Sequence, residues 1–423
     1  MADLLQVTEA GLWCPRGDFW IDPWRPVPRA LITHAHADHA RPGCGEYWAV
    51  GASEGILRER LGAEIQFLPV DYGQLHRIGG ARVSFHAAGH VLGSAQILLE
   101  ASGERWLVSG DYKRCPDPSC TPFQPVAADV LITEATFGLP IYRWRSGAAV
   151  AEEIVAWWRA AADRPSLLLC YAFGKAQRVL AELHRLGIRD EVLLHGSVQQ
   201  LMEPYREAQV AMPPTRPLAE LPRGAPLAGR LVIAPPGALR GRGLSRLKTP
   251  QTAFVSGWMA VRGARRRRGT GHGFVLSDHA DWPGLLRSVR ESGAQQVYVT
   301  HGQSSVLARY LREVEGIAAE PLEGAFEAEQ LRDGQLSDVA RNFDMQGIFS
   351  FLLVNQYLAR KTHQARIMSL FSVEKAQRFM SDTVPFLPTD TVYPSVFELY
   401  PVVKAALDAD YDHFIDVCSA DDL

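Results

Sequence analysis

Three histidines and an aspartate fall within six residues of this 423-residue chain: His34, His36, Asp38 and His39. They follow the apolar run Ala30-Leu31-Ile32, which reads as a short buried strand. A strand that stops and turns aims neighbouring side chains at one point. Neutral imidazole and carboxylate suit a borderline divalent ion such as zinc. Four such residues this close cannot all serve one tetrahedral ion that also takes ligands from elsewhere. The spacing points to two ions, with His34 and His36 on one and Asp38 and His39 on the other. Two ions about 3.5–4 Å apart are suited to in-line displacement at phosphorus. The competing reading is a polar loop with clustered histidines, and later residues weigh against it.

His90 lies in Ala88-Gly89-His90-Val91-Leu92-Gly93-Ser94, where flanking glycines permit tight turns. Asp111 follows Gly110 at the end of the apolar stretch Trp106-Leu107-Val108. A carboxylate there can bridge two ions, one oxygen to each. His301 ends Gln296-Val297-Tyr298-Val299-Thr300, the same design as the first cluster, and is a candidate ligand for the second ion. Each residue alone is weak evidence; together they complete two shells. Asp22, before Pro23, has two readings on spacing alone. It either holds a ligand histidine by its other ring nitrogen or is a turn aspartate.

The elements that must position these residues are mostly short strands. Strand patterning covers 19–24, 29–32, 65–70, 81–85, 95–99, 106–111 and 129–134, with a helix at 51–62 and Ser53 as its cap. After Glu134 and the motif Ala135-Thr136-Phe137-Gly138 the pattern changes. A helical stretch lies within 146–163. A buried strand at 166–170 runs into Tyr171-Ala172-Phe173-Gly174-Lys175-Ala176-Gln177, and a helix follows at 178–186. Strand, glycine turn and helix alternate to about residue 270, which predicts an inserted α/β unit. Residues 212–229, rich in proline and glycine, read as a loop. From 271 the strand-and-turn character returns, with a helix from Trp282 capped by Asp281.

Composition changes near residue 335. All ten tryptophans lie before it, and of 36 glycines only Gly347 comes after 337. Residues 338–423 carry 7 basic and 12 acidic side chains, against a net charge of −3 for the chain. They read as a mainly helical appendage of unknown role. A dense basic run, Arg262 and Arg265-Arg266-Arg267-Arg268, stands in the body. Six scattered cysteines fit a reducing cytosol better than a disulfide scaffold. Cys115 and Cys120 are close enough for a pair, although two unrelated small residues in a loop is the simpler reading. No run approaches the roughly 20 apolar residues of a membrane span, and the N-terminus shows no signal peptide. A cytoplasmic location is expected.

The assembled residues resemble the metallo-β-lactamase fold, specifically its nucleic-acid-processing branch, the β-CASP nucleases. The resemblance rests on Asp22, His34-x-His36-x-Asp38-His39, His90, Asp111, Glu134 in Leu131-Ile132-Thr133-Glu134-Ala135-Thr136, His279 in Ser277-Asp278-His279-Ala280-Asp281, and His301. Within the branch the likeness is to bacterial ligase-associated DNA exonucleases, through Asp111-Tyr112-Lys113-Arg114, Pro116-Asp117-Pro118 and Cys120. It covers roughly residues 4–335. It implies an α/β fold: an αββα sandwich from residues 1–140 and 271–335, with a β-CASP domain inserted at 141–270.

The resemblance also implies two zinc ions, with manganese the alternative. His34, His36 and His90 would hold one, Asp38, His39 and His301 the other, and Asp111 would bridge. Asp38 and Asp111 thereby join the catalytic set, with His279 donating a proton to the leaving oxygen and Glu134 holding His279. From their charge, Lys113, Arg114 and the run Arg265, Arg266, Arg267 and Arg268 are candidates to meet backbone phosphates; for the arginine run a solvated face is the competing reading. The implied partners are nucleic acid, as single-stranded or duplex-end DNA, and a functional link to a DNA ligase and a helicase. One feature pulls towards RNA: a histidine at 301 is typical of the RNA-processing members. An RNA-processing ribonuclease is therefore the alternative, ahead of a small-ester metallo-hydrolase. A catalytically dead scaffold would have lost ligands, and here every one is present.

Overall fold

The computed structural model describes residues 4–322, apart from 223 and 262–271. The expected appendage over 338–423 and Arg265, Arg266, Arg267 and Arg268 lie outside the described residues.

The first sheet follows chain order: β1 (Gln6–Thr8), β2 (Gly11–Cys14), β3 (Phe19–Ile21), β4 (Arg29–Leu31), β5 (Glu46–Val50) and β6 (Phe67–Val70). β1 to β3 are antiparallel, and β3 to β6 are parallel. Parallel neighbours need crossovers. The histidine cluster occupies the crossover from β4 to β5, and helix α1 (Glu54–Leu61) lies in the next one.

The second sheet begins as an antiparallel meander of β7 (Leu75–Ile78), β8 (Ala81–Ala87), β9 (Ala95–Ala101) and β10 (Glu104–Val108), then adds β11 (Val130–Glu134) parallel to β10. The chain then leaves it. It builds helices α2 (Gly147–Arg159), α3 (Lys175–Arg185), α4 (Gly196–Gln199) and α5 (Glu203–Glu207), and a third sheet. That sheet comprises β12 (Ser166–Leu169), β13 (Val192–Leu194), β14 (Thr215–Pro217), β15 (Leu231–Ala234), β16 (Gln251–Val255) and β17 (His272–Phe274). These strands are all parallel, in the order β14-β13-β15-β12-β16-β17. After helix α6 (Trp282–Ser292), β18 (Gln296–Thr300) pairs directly with β11. Helix α7 (Ser304–Tyr310) and β19 (Ala318–Pro321) follow. The third sheet is thus looped out between two adjacent strands of the second.

Side-chain alternation decides the layers. On β9, Ile97 and Leu99 point into the core between the first two sheets, and Leu98 points to the opposite face. On β10, Trp106 and Val108 face inward and Leu107 outward. The outward residues pack against Leu285, Leu286 and Val289 of α6 and Leu307 of α7. The far side of the first sheet packs on Ile56 and Leu57 of α1. The result is a mixed α/β architecture in which two central sheets are covered by helices on both sides. The third sheet has its own cores. Val150, Ile154 and Trp158 of α2 and Val179 and Leu183 of α3 cover one face, which is why its strands read as unbroken apolar runs.

Helix α6 begins as expected: Asp281 Oδ1 accepts the Gly284 amide at 2.9 Å, Pro283 sits in the first turn, and Gly293 ends it in the left-handed conformation. Three expectations change. Ser53 does not cap α1, because its hydroxyl donates back to the Val50 carbonyl at 2.7 Å. Helix α3 starts at Lys175, one turn earlier than the apolar pattern indicates. Residues 212–229 include the edge strand β14, where Pro217 is tolerated because an edge leaves one ladder unpaired. Cys115 and Cys120 are free thiols. Among the described residues no helix is long and apolar enough to cross a membrane.

Candidate metal centre

Strand ends converge on one rim of the two central sheets. Asp22 follows β3, the His34–His39 turn follows β4, His90 lies between β8 and β9, Asp111 follows β10, Glu134 ends β11 and His301 follows β18. Backbone conformation is unusual at two of them: Asp22 has φ +45° and His301 φ +57°. Left-handed backbone at a non-glycine residue costs on the order of 1–3 kcal/mol and clusters at functional sites. Gly110, with φ +54°, admits the Asp111 loop beside Thr33; a Cβ there would lie 2.6 Å from the Thr33 Cβ.

His34 Nε2 lies 2.9 Å and His90 Nε2 3.1 Å from His36 Nδ1. One oxygen, Asp111 Oδ2, is 3.6 Å from His34 Nε2, 3.6 Å from His39 Nε2 and 3.7 Å from His90 Nε2. Three donor groups meet at Asp111: one includes Glu134 and His279, and two are built mainly of histidine. Of these two, one is His34, His36, His90 and Asp111, and the other is His39, His301 and Asp111; within each the ligand atoms lie within 4.8 Å of one another. Buried ring nitrogens packed this closely, with a shared carboxylate, match the donor chemistry of two borderline divalent ions. Asp38 sits at the margin, its side chain half exposed and Oδ2 3.8 Å from His39 Nε2. The rings of His39 and His301 stack with centroids 5.4 Å apart.

Asp22 is no simple turn residue. Its carboxylate accepts from the Thr33 amide at 2.8 Å, the Thr33 hydroxyl at 2.5 Å and His39 Nδ1 at 2.7 Å. His39 therefore carries a proton on Nδ1 and turns Nε2 towards Asp111. His90 is oriented the same way, its Nδ1 donating to the Asp278 carbonyl at 2.7 Å.

The electrostatics divide the imidazoles. Burial, reinforced by neighbouring rings, holds His34 and His90 well below the ordinary histidine range. Burial likewise brings His36 and His301 down to about 4. These four are neutral at pH 7, the form that donates to a metal. His39 goes the other way: burial opposes its charge, but Asp111, Asp38 and Asp22 outweigh burial and push it up to about 10. Burial pushes Asp111 up to about 7.

A second unit adjoins this one. His279 Nδ1 lies 2.9 and 3.1 Å from the two Glu134 oxygens and 3.8 Å from Asp111 Oδ2. Burial disfavours the imidazolium, but Glu134 and Asp111 overcome it and raise His279 to about 9. Glu134 also accepts the Tyr112 amide at 2.8 Å and is held below the usual carboxylate range: burial opposes this, and His279 outweighs it. The Trp144 indole donates to the His279 carbonyl at 2.9 Å.

The two expected phosphate contacts among the described residues both have protein partners. Lys113 is 1% exposed and is committed to Asp117 and the His90 carbonyl, so it faces inward. Arg114 bonds Glu291 at 2.7 Å and Ser288 at 3.2 Å, with its guanidinium 4.3 Å from the Phe123 ring centroid. Two of its nitrogens are held by α6. Two features were not legible in the chain. Phe173, from the turn after β12, packs edge-on against His36 with centroids 4.9 Å apart. Lys175 and Arg178 of α3 reach Asp278, beside His279. The motif Gly174-Lys175-Ala176-Gln177 was visible, but nothing local said what its cations meet.

The site is thus a buried histidine–aspartate cluster suited to two divalent ions, with an ionised histidine–glutamate pair beside it. No protein-family model matches the chain. It is 33% identical over 312 residues to "Probable DNA ligase" of Opitutus terrae, a match covering 72% of this chain and 30% of that protein. It is 31% identical over 151 residues to "Ribonuclease TTHA0252" of Thermus thermophilus (28% of this chain, 34% of the relative). It is 32% identical over 152 residues to "Endoribonuclease YSH1" of Mycosarcoma maydis (27% and 17%). The matches span about a third or less of these relatives' lengths. The named relatives are nucleic-acid enzymes.

Proposed function

We propose that the chain is a metal-dependent phosphodiesterase of the β-CASP type, a nuclease that degrades DNA from an end in the service of repair with a ligase. One observation carries the reading: two histidine groups share Asp111, and the His279–Glu134 pair stands 3.8 Å from that same carboxylate. Bound at the two groups, divalent ions would activate a water and neutralise charge on the phosphoryl oxygens.

The chain's own residues do the rest. Asp22 and the Asp278 carbonyl orient His39 and His90 through Nδ1, so that Nε2 is the nitrogen each would give to a metal; on His39, raised to about 10, a bound ion would take the place of the Nε2 proton. Glu134 holds His279 through Nδ1–H and stabilises its charge. The opposite nitrogen, Nε2, then carries the proton that a departing sugar oxygen requires. Bound cations nearby would bring the raised His279 value down towards neutrality, where proton delivery is fastest.

The DNA assignment is supported by the ligase-named relative, which matches 72% of this chain against 28% for the ribonuclease. A second reading, an RNA-processing nuclease, is favoured by His301 beside His39 and by the two ribonuclease names. The test is degradation of matched DNA and RNA strands, labelled at either end, with zinc or manganese, beside His279→Ala. Stepwise shortening of DNA that the variant fails to produce is expected, and the surviving label reports polarity. Cleavage of RNA alone would select the second reading. Two bound metals with no cleavage of either strand would refute both and favour a small-ester hydrolase.

A further inference from the structure

Five charged side chains are buried where the third sheet's helix α3 meets the metal rim: Lys113, Asp117, Lys175, Arg178 and Asp278. Lys175 is 3% and Arg178 2% exposed. Lys175 Nζ lies 2.8 Å from Asp278 Oδ2, and Arg178 Nη1 3.3 Å from Asp278 Oδ1. The same Nη1 donates to the Ser277 carbonyl, and Arg178 Nε lies 3.4 Å from Asp117 Oδ2. Lys113 bonds Asp117 from the other side and donates to the His90 carbonyl at 3.2 Å. Glu182, one turn further along α3 and also buried, brings the balance to three cations and three anions.

Buried ion networks contribute little net stability, because desolvation offsets the attraction; apolar residues of similar volume do as well. What such a network supplies is geometry. Here the geometry is at the site. Asp278 precedes His279, its carbonyl orients His90, and the Ser277 hydroxyl accepts the His279 amide at 3.1 Å. Both side-chain oxygens of Asp278 are held by cations from α3. Without them the turn would still be met through its backbone carbonyls by His90 and the Trp144 indole, through His279 by Glu134, and through the Ala280 amide by the Tyr112 carbonyl, but the Asp278 side chain would lose the two cations that hold it.

We propose that Lys175 and Arg178 are positioning residues: they brace the 277–279 turn through the Asp278 side chain, so that docking of α3 on the rim fixes the placement of His279 for proton transfer. The inference rests on the proton-donor role of His279 given above. It makes the looped-out unit part of the catalytic geometry.

The test uses the full-length chain with Arg178→Met, Lys175→Met and the conservative Arg178→Lys. Backbone hydrogen–deuterium exchange is followed by mass spectrometry in segment 276–281 and in α2. Kinetics are measured on labelled DNA and on bis(4-nitrophenyl) phosphate, whose phenolate departs without a proton. Exchange in 276–281 should rise in both Met variants while α2 keeps its protection. The kcat on DNA should fall on the order of 10²-fold, with KM within about threefold, and the nitrophenyl ester should lose less than about tenfold. Arg178→Lys should recover part of each loss. Unaltered exchange in 276–281, equal losses on both substrates, or deprotection spreading through α2 in all three variants would overturn the proposal. Wild-type protein inert towards DNA and RNA, with the exchange result intact, would refute the nuclease reading and the proton-transfer role with it, leaving only the bracing of the turn by α3.

Discussion

Replacing Asp22 by asparagine should separate the two halves of the candidate metal centre. The carboxylate accepts three buried donors: the Thr33 amide, the Thr33 hydroxyl and His39 Nδ1–H. Asparagine has one accepting oxygen and one donating nitrogen. If its oxygen takes the Thr33 amide, the NH2 faces His39 Nδ1, and the ring must adopt the opposite tautomer. Nε2 then carries a hydrogen towards Asp111, 3.6 Å away, and ceases to be a donor to metal. If the amide is flipped, the NH2 confronts the Thr33 N–H, leaving a buried donor unpaired at about 1–3 kcal/mol. The first outcome weakens only the ion expected on His39, Asp111 and His301. The ion on His34, His36 and His90 keeps its orienting bond from the Asp278 carbonyl. Loss of an orienting partner costs about 10–100-fold in metal affinity, or roughly 1.4–2.7 kcal/mol. The assay is zinc titration of metal-free protein against a chromophoric chelator, with metal counted after dialysis. Wild type should bind two ions, and Asp22→Asn should bind one as tightly and the other about 10–100-fold more weakly. Equal weakening of both ions, or of neither, would refute the tautomer argument.

Three further outcomes follow from the geometry. Gly110→Ala places a Cβ 2.6 Å from the Thr33 Cβ at φ +54°, so the Asp111 loop must move; bound metal should drop below one equivalent by elemental analysis, with a lower melting temperature. Glu134→Gln removes the charge that keeps His279 protonated up to about 9, so the alkaline limb of kcat/KM on DNA should move to lower pH and the plateau should fall. Stability should be acid-sensitive in a defined window. For both Asp278 and Asp117 burial opposes ionisation, but Lys175, Lys113 and Arg178 hold Asp278, and Lys113 and Arg178 hold Asp117, below the usual range. Their stabilisation is complete above the unfolded value of about 4 and is lost as pH falls towards the depressed folded values. Urea midpoints should therefore be insensitive to these groups between pH 5 and 7 and drop below about pH 4; Asp278→Asn should flatten that drop.

Much of the site was readable because metal-binding chemistry is local. His34, His36 and His39 fall in one turn, and a turn after a strand has few ways to point three rings. Asp111, Glu134 and His301 could be suspected one at a time, since each ends an apolar run, as could α6 with its Asp281 cap and Gly293 stop. The partners of long polar side chains were another matter. Lys113 and Arg114 read as surface cations because most are, yet one is buried on Asp117 and the other lies along α6. Their fate depends on residues that share no sequence neighbourhood with them.

The chain by itself determined which ligand-type residues could share a site and that they sit at strand ends, because residue type, apolar period and turn signals act over a few positions. Only the tertiary structure decided that Asp22 bonds His39, that Asp111 serves both histidine groups, and that α3 reaches Asp278. Those contacts join segments from different sheets. Their distances are set by how the sheets pack, and packing is a property of the whole core that no short stretch encodes.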